Sequence, residues 1–239
     1  MTRVTLETEA DVARALKKLL EIDPRLVPVA EVAGRLPHRR KPGGFEGLAA
    51  VIMGQQISIL AAEAIWLRLK AAVEPFTPEQ LARTPEATLR AAGLSAAKIR
   101  TLLGIAEAAA GGFDLLALHD LPAEVAVRAM TALKGIGPWT AESYLLFSVG
   151  HPDVFPAGDL ALQIAVHQGL RLRQRPDEKR LRAIAADWAP WRGVAARLFW
   201  AYYRKSREAR REAAALATER TASATRRKPA KTAARRKTI

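Results

Sequence analysis

An aspartate, Asp159, follows a turn rich in glycine and proline and precedes an apolar helix in the segment DVFPAGDLALQ. A carboxylate at such a place accepts hydrogen bonds from free backbone amides, so a lone Asp here most often caps its helix. A fixed carboxylate can also stabilise a positive charge that develops in a transition state. The neighbouring Asp153 stands before the FPAG turn and is interpreted as a turn or capping residue. Asp159 is therefore either a helix cap or a catalytic acid, and the surrounding motifs decide between them.

A second segment, LKGIGPWTA, contains two glycines that flank one apolar residue: Gly135, Ile136 and Gly137. Such a pair permits a tight reversal between two helices, and its uncovered backbone amides can bind an oxyanion at the start of the second helix. Lys134 precedes the reversal, and Pro138 suits the first turn of the following helix. The pattern predicts a phosphate-binding hairpin, although a glycine helix cap followed by another turn gives the same letters.

Together, these two segments resemble the helix-hairpin-helix, Gly/Pro-rich loop and Asp signature of base-excision DNA glycosylases, the HhH-GPD superfamily. Upstream, VIMGQQISILAAEAI and GLSAAKIRTLLGIAEA are similar to segments of the bacterial DNA-3-methyladenine glycosylase II branch. Downstream, PWRGVAARLFWAYY is similar to the C-terminal helix of that branch. The resemblance covers residues 44–205.

The resemblance implies that Asp159 is the catalytic aspartate, which stabilises an oxocarbenium-like sugar and orients water. Trp139 stands where bifunctional members carry a lysine that forms a Schiff base, and Lys134 in the hairpin is a poor substitute. Water is then the expected acceptor, and an intact abasic site is the expected product. Trp139 and Trp200 match aromatic positions of the alkylbase pocket, although core packing is an equal alternative for Trp200. Stacking and a cation–π attraction of about 0.5–2 kcal/mol favour a purine made cationic by alkylation.

Two adjacent glutamines are the candidates for a contact inside the duplex. By resemblance, Gln56 occupies the position whose side chain fills the gap left by a flipped nucleotide, with Gln55 as its support. Ser58, next in the pattern, is interpreted as structural. Capping or pairing of the two glutamines within the core is the alternative.

The hairpin residues are expected to bind DNA: Lys134, Gly135, Ile136 and Gly137. In this superfamily the backbone carbonyls of the hairpin can hold a monovalent cation that bridges to phosphate. By motif position, the candidate ligands are the carbonyls of Thr131, Lys134 and Ile136. Apart from this cation, no cofactor is expected.

The chain departs from the best-known form of the branch in two respects. Helix-like residues 1–43 stand in place of an additional β-rich lobe, and Ser143 and Leu160 stand where that form has aromatic residues. A pocket that is wider or less aromatic follows from these differences, and it leaves the range of substrates open.

Composition adds information about partners. The net charge is +14, and the residues from Arg204 onward contain 13 Lys or Arg and 3 Glu, so most of the excess charge lies in the C-terminal segment. Attraction to DNA phosphates is the favoured role of this tail, and a solubility role is the alternative. The absence of cysteine excludes disulfides, thiolate zinc sites and iron–sulfur clusters. Without an apolar stretch of membrane-spanning length, the protein is expected to be a soluble, cytoplasmic, nucleoid-associated monomer.

Prolines stand where helices would begin, glycines where they would end, and period-two runs of β-branched residues are missing. This pattern predicts an all-α, two-lobed helical fold. We expect N-terminal helices over 1–43 that pack on the second lobe, a glycosylase core over 44–210 and a basic disordered tail over 211–239. Asp159 is expected in the cleft between the lobes, opposite Gln56. The predicted helices lie near 8–20, 25–33, 45–73, 78–82, 86–92, 95–110, 122–133, 138–149, 159–170, 177–187 and 191–210.

The function expected from these observations is hydrolysis of the N-glycosidic bond of alkylated purines, 3-methyladenine and 7-methylguanine above all, in damaged double-stranded DNA. The enzyme is expected to be monofunctional. One alternative is a glycosylase for deaminated or oxidised purines such as hypoxanthine. Another is a non-catalytic helix-hairpin-helix DNA-binding protein in which Asp159 only caps its helix.

Overall fold

The computed structural model describes residues 6–38 and 40–226, and the regular elements within these ranges are all helical. The twelve α-helices of the described ranges are α1 (Glu9–Ile22), α2 (Val27–Ala33), α3 (Gly44–Met53), α4 (Ile59–Ala72), α5 (Pro78–Arg83), α6 (Glu86–Ala91), α7 (Ala96–Ala110), α8 (Ala123–Thr131), α9 (Pro138–Tyr144), α10 (Leu160–Gly169), α11 (Glu178–Ala186) and α12 (Arg192–Arg226). Short 3₁₀ helices cover Pro24–Leu26 and Ala117–Asp120, and a π-helical turn, Leu145–Val149, extends α9. Across this described part of the chain, no helix is both long and apolar enough to span a membrane.

Side-chain caps fix where several helices begin. Thr8 and Asp11 form a capping box at α1, and the side chains of Thr77 and Ser95 accept backbone N–H bonds at the starts of α5 and α7. Each cap satisfies a helix amide that has no partner within the helix, which makes these boundaries readable from local sequence.

Two hydrophobic cores divide the molecule into two lobes and confirm the predicted fold class. Buried residues between Phe45 and Val154, carried by α3 to α9, form one core. Buried residues of α1, α2 and α10 to α12 form the other, with Trp188 and Phe199 among its largest fully buried side chains. Leu146 of the π-helical turn belongs to the second core, so the end of α9 links the two lobes.

The predicted single helix over 45–73 is wrong. The structure breaks it into α3 and α4 with a turn at residues 54–58. Gln56 in this turn has a φ of +59°, which no helical residue adopts, and Ser58 then caps α4 by accepting the N–H of Ala61 at 3.2 Å. Continuous apolar character carries no information about a break made by backbone conformation, and it does not mark burial throughout, since Leu60 and Leu67 of α4 are 79% and 69% exposed.

The predicted start of the tail at residue 211 also needs correction, because α12 continues as a helix to Arg226. Residues 211–226 are rich in Ala, Arg and Glu, which are strong helix formers. On the second lobe, Arg210 of this helix donates to Oε1 of Gln168 at 2.9 Å. The rest of the predicted tail, 227–239, lies outside the described residues.

Candidate active site

Asp159 is the residue on which the predicted site converges. Its Oδ1 accepts the backbone N–H of Leu162 at 3.0 Å, so Asp159 does cap α10. The same carboxylate accepts two indole N–H groups, from Trp200 at 3.2 Å and from Trp139 at 3.1 Å. The cap and the pocket residues predicted from sequence therefore meet at one carboxylate.

The chain brings these three side chains together from separate elements. Trp139 lies in the first turn of α9, Asp159 precedes α10, and Trp200 lies in α12. The turn before Asp159 is held by its own N–H, which donates to the carbonyl of Pro156 at 2.9 Å. Gln163, one turn into α10, donates through Nε2 to the carbonyl of Ala157 at 3.1 Å. The loop that presents the carboxylate is thus fixed at both ends.

A cavity of about 340 Å³ opens beside this carboxylate. Its volume lies within the range of ligand-binding clefts, although near the lower end. Trp139 is 42% exposed, so its ring is accessible from solvent. The cavity is lined by Pro37, Trp139, Phe147, Asp159, Arg197, Trp200, Ala201 and Arg204.

Sequence reasoning missed several residues of this wall. Phe147 stacks on Trp200 with ring centroids 5.4 Å apart and planes 29° apart. Arg197 lies 5.0 Å from the centroid of Phe147 and donates to the carbonyls of His38 and Leu146. Arg204 follows Trp200 by one helical turn and lines the same cavity. Helical spacing from Trp200 is the only sequence signal that pointed to Arg197 and Arg204.

The two positions where the branch has aromatic residues differ in placement. Ser143 is buried within α9, whereas Leu160 is 55% exposed at the start of α10, directly after Asp159. Neither lines the cavity beside Asp159. The aromatic wall here comes from Trp139, Phe147 and Trp200 instead.

The predicted hairpin lies between α8 and α9. Gly135 has a φ of +89°, and a Cβ at this position would collide with the side chain of Thr101 on α7, so both backbone and packing require glycine. Ile136 is buried, whereas Lys134 and Gly137 are exposed. The hairpin therefore anchors itself through Ile136 and presents its two ends to solvent.

The glutamine turn contacts the hairpin's second helix. Gln55 donates through Nε2 to Oγ1 of Thr140 at 2.7 Å, next to Trp139 in α9. Gln56 is exposed, so core pairing does not account for it. Gln55 is thus the partly buried member of the pair and bonds to α9, whereas Gln56 is the exposed member.

A buried acid on α9 was not singled out from sequence. Glu142 is 2% exposed, and its Oε1 lies 3.2 Å from Nη1 of Arg182 on α11. Burial raises the pKa of Glu142 to about 7, although the charge of Arg182 opposes this effect. Arg182 also pairs with Glu178 at 2.9 Å.

Asp153, interpreted from sequence as a turn or capping residue, accepts the N–H of Arg192 at the start of α12 and pairs with its guanidinium at 2.7 Å.

A second cavity, of about 320 Å³, lies on the Glu142 face of α9. Its carboxylates are engaged with arginines: Glu142 and Glu178 with Arg182, and Asp153 and Glu124 with Arg192. No aromatic pair faces a carboxylate in its lining. The cavity beside Asp159 is therefore the candidate active site.

Comparison with known proteins tests this interpretation. Residues 49–190 match the model of the HhH-GPD superfamily of base excision DNA repair proteins. The chain belongs to this superfamily. The matched HhH-GPD segment contains both the hairpin and Asp159, and it ends before α12, which carries Trp200.

Individual relatives agree with the family. The chain is 34% identical over 204 residues to DNA-3-methyladenine glycosylase 1 of Schizosaccharomyces pombe, covering 82% of this chain and 88% of that protein. The crystal structure of a DNA-3-methyladenine glycosidase from Bacillus halodurans superposes with a TM-score of 0.72 at 33% identity, covering 85% of this chain and 93% of that one. A 3-methyladenine DNA glycosylase from S. pombe, solved in complex with abasic DNA, gives 0.68 at 31% identity and covers 81% and 97% of the two chains.

Proposed function

We propose that this HhH-GPD protein is a monofunctional DNA glycosylase that hydrolyses the N-glycosidic bond of alkylated purines, 3-methyladenine and 7-methylguanine above all, in duplex DNA. The observation that carries this proposal is the carboxylate of Asp159, held by two indole N–H groups at the wall of an aromatic cavity. Relatives named as 3-methyladenine glycosylases that match over most of this chain support the choice of substrate.

The chemistry follows from the placement of Asp159. As the bond from C1′ to the base breaks, positive charge develops on the sugar, and a fixed carboxylate nearby lowers the energy of that transition state. The three donors on Asp159 hold its orientation before substrate arrives, so little reorganisation is needed during the reaction. Water then adds to C1′, and the bonding electrons leave with the purine.

The cavity provides for the departing base. A flipped purine can stack on the exposed ring of Trp139 or against the stacked pair of Phe147 and Trp200. A purine made cationic by alkylation is also attracted to these ring faces, by about 0.5–2 kcal/mol. Alkylation therefore raises affinity for the pocket and weakens the bond to be broken at the same time.

We assign DNA binding to the hairpin and to Gln56. The exposed ends of the hairpin, Lys134 and Gly137, are placed to approach phosphate, and Gln56 is exposed on a turn joined through Gln55 to α9. The relative solved in complex with abasic DNA supports DNA as the partner, which we propose is double-stranded. We propose that the protein acts on damaged chromosomal DNA at the nucleoid, in the cytoplasm, as a monomer.

We further propose that the hairpin carbonyls of Thr131, Lys134 and Ile136 hold a monovalent cation that neutralises phosphate charge. In the described part of the chain, the backbone hydrogen bonds of the hairpin end at other carbonyls, those of Arg128, Met130 and Leu133. The three proposed carbonyls are not among these acceptors, which supports the proposal.

A specific observation favours a second substrate class. Arg197 and Arg204 both line the cavity, and their guanidinium groups repel a cationic base, while Arg204 can donate hydrogen bonds to the oxygen or ring nitrogen of a neutral purine. This arrangement suits a deaminated purine such as hypoxanthine. The choice between the two classes depends on whether the aromatic faces or the guanidinium groups dominate the binding of the base.

A panel of duplexes tests these proposals. Each duplex carries one lesion, 3-methyladenine, 7-methylguanine, hypoxanthine or an oxidised purine, and released base is measured under single-turnover conditions. Faster release of the alkylated purines than of hypoxanthine is expected, and the reverse order would favour the second class. Binding of all duplexes without release of any base would identify a non-catalytic DNA-binding protein.

A further inference from the structure

The turn between α3 and α4 carries backbone strain at an exposed side chain. Gln56 has a φ of +59°, in the left-handed region that residues with a Cβ rarely adopt. A residue held there is strained, and it persists only where the surrounding structure holds it. The question is therefore which contacts keep this turn in place.

A lysine from a different helix reaches this turn. Lys98, in the first turn of α7, donates through Nζ to the carbonyl of Met53 at 2.8 Å and to that of Gln55 at 3.2 Å. Met53 ends α3, and Gln55 directly precedes the strained residue. One ammonium group thus spans the end of the helix and the first half of the turn.

The position of Lys98 is unfavourable for its own helix and favourable for the neighbouring one. A cation near a helix N-terminus opposes the helix dipole, whereas a cation at a C-terminus satisfies free carbonyls and is stabilised. Burial lowers the pKa of Lys98, and among the described residues no carboxylate compensates this desolvation. Because the partners of this half-buried lysine are two backbone carbonyls, its effect is to fix the positions of those carbonyls.

We propose that Lys98 is a positioning residue for base extrusion. It holds the turn at residues 54–58 in its strained form, so that Gln56 is preorganised to fill the gap left by the flipped nucleotide. The inference rests on the proposed function of Gln56. The hydrogen bond from Gln55 to Thr140 holds the same turn against α9, and Lys98 holds it against α7.

The proposal predicts an effect confined to one step. Without the ammonium group, the turn relaxes toward an unstrained backbone, and the strain energy must be supplied each time Gln56 enters the duplex. Extrusion of a paired base then slows, because unpairing is the costly part of reaching the pocket. Release of a base that is already unstacked should not slow, because Gln56 is not needed to separate it from its partner.

The experiment compares Lys98→Met with wild type on two substrates, a fully paired lesion duplex and one in which the lesion lies opposite a mismatch. Loss of the support that Lys98 gives to the strained turn predicts release about tenfold slower from the paired duplex. The ratio of the paired to the mismatched rate is the readout. Lys70→Met is the matched control, because Lys70 is also half-buried in this lobe but pairs at 2.7 Å with Glu46, which lies outside the turn at residues 54–58.

A double variant shows whether Lys98 acts through Gln56. In the Gln56→Ala background, Lys98→Met should cause no further loss of rate on the paired duplex. With Gln56 present, Lys98→Arg, which retains a donor, should release base faster than Lys98→Met. Equal loss on both substrates, or additive loss in the double variant, would overturn the proposal. Failure of the wild-type protein to release base from either duplex would instead refute the proposed function, which separates the two ideas.

Discussion

At the scale of single residues, Asp159 combines an architectural and a chemical role, and one substitution separates them. Asn caps helices about as well as Asp, so Asp159→Asn should keep the bond from Leu162 to Oδ1 and leave the melting temperature and DNA affinity close to wild type. Loss of the negative charge should lower single-turnover release of alkylated purine by a factor of about 10² to 10³.

The Asp159→Asn substitution also affects the hydrogen bond between Trp139 and position 159. Oδ2 of Asp159 accepts the indole N–H of Trp139, and the amide of Asn would place a donor against that donor or turn its oxygen away from Leu162. Trp139→Phe removes the indole donor together with part of the ring that lines the cavity, so its loss of activity sets an upper limit on that contribution. An unmethylated duplex and a protein-free sample correct for spontaneous loss of labile bases. Near wild-type release by a folded Asp159→Asn protein would refute the mechanism.

The residue at position 139 also determines the product. Because Trp139 has no amine, treatment with borohydride during turnover should trap no covalent adduct between enzyme and DNA, and the strand should remain intact until alkali is added. Gel electrophoresis of the reaction with and without borohydride gives the answer. A trapped adduct would show that another amine attacks the sugar, and Lys134, exposed in the hairpin, would be the first candidate.

At the scale of elements, α9 is held on both sides by polar contacts that differ in their dependence on pH. Glu142 ties α9 to Arg182 of α11, and burial raises its pKa from an ordinary 4.5 to about 7. The folded protein therefore binds a proton more tightly than the unfolded chain between these two values. The resulting stabilisation is fully present below about pH 4.5 and is lost as the pH rises through about 7.

Glu142→Gln should abolish this dependence, because an amide does not ionise. The free energy of unfolding of the variant relative to wild type should increase between pH 5 and pH 8 by up to about 3 kcal/mol, as measured by urea denaturation. The test is how the difference in free energy of unfolding between variant and wild type changes with pH. Loss of the pair with Arg182 alters this difference equally at pH 5 and pH 8. Glu178→Gln removes an exposed carboxylate from the same arginine and is the matched control. Parallel pH profiles for wild type and Glu142→Gln would contradict the expectation.

At the scale of the whole molecule, the distribution of charge and the course of α12 are connected. This helix passes the candidate pocket at Trp200 and Arg204 and continues with an exposed basic stretch that includes Arg207 and Arg211. The exposed basic stretch of α12 thus begins next to the candidate pocket.

Removal of the residues after Ser206 should weaken binding to undamaged DNA and flatten the plot of log affinity against log salt. Each lost phosphate contact should reduce the slope by about 0.9, because fewer counterions are released on binding. Fluorescence anisotropy over a range of salt concentrations measures the slope, and release of base at saturating enzyme should be largely retained. Arg207→Gln with Arg211→Gln removes charge and leaves the helix intact. An unchanged slope would reduce the tail to a solubility feature.

The sequence by itself determined most helix positions and the family. Caps such as Thr8 and Ser95, prolines at helix starts and the period of apolar residues act within a few positions, so their effects can be read locally. The signature around Gly135 and Asp159 is also contiguous, because a hairpin and a capped helix are local structures. The meeting of Trp139, Asp159 and Trp200 was predicted through the resemblance.

Tertiary structure decided what depends on contacts between distant parts of the chain. The break at Gln56, the contact of Lys98 with this turn and the pair of Glu142 with Arg182 left no local signal. The helical course of α12 beyond residue 211 was missed for another reason, since composition was weighed above helix propensity there. Packing sets which distant groups meet, and the cost of strain or burial at one residue is offset only by partners that the fold brings to it.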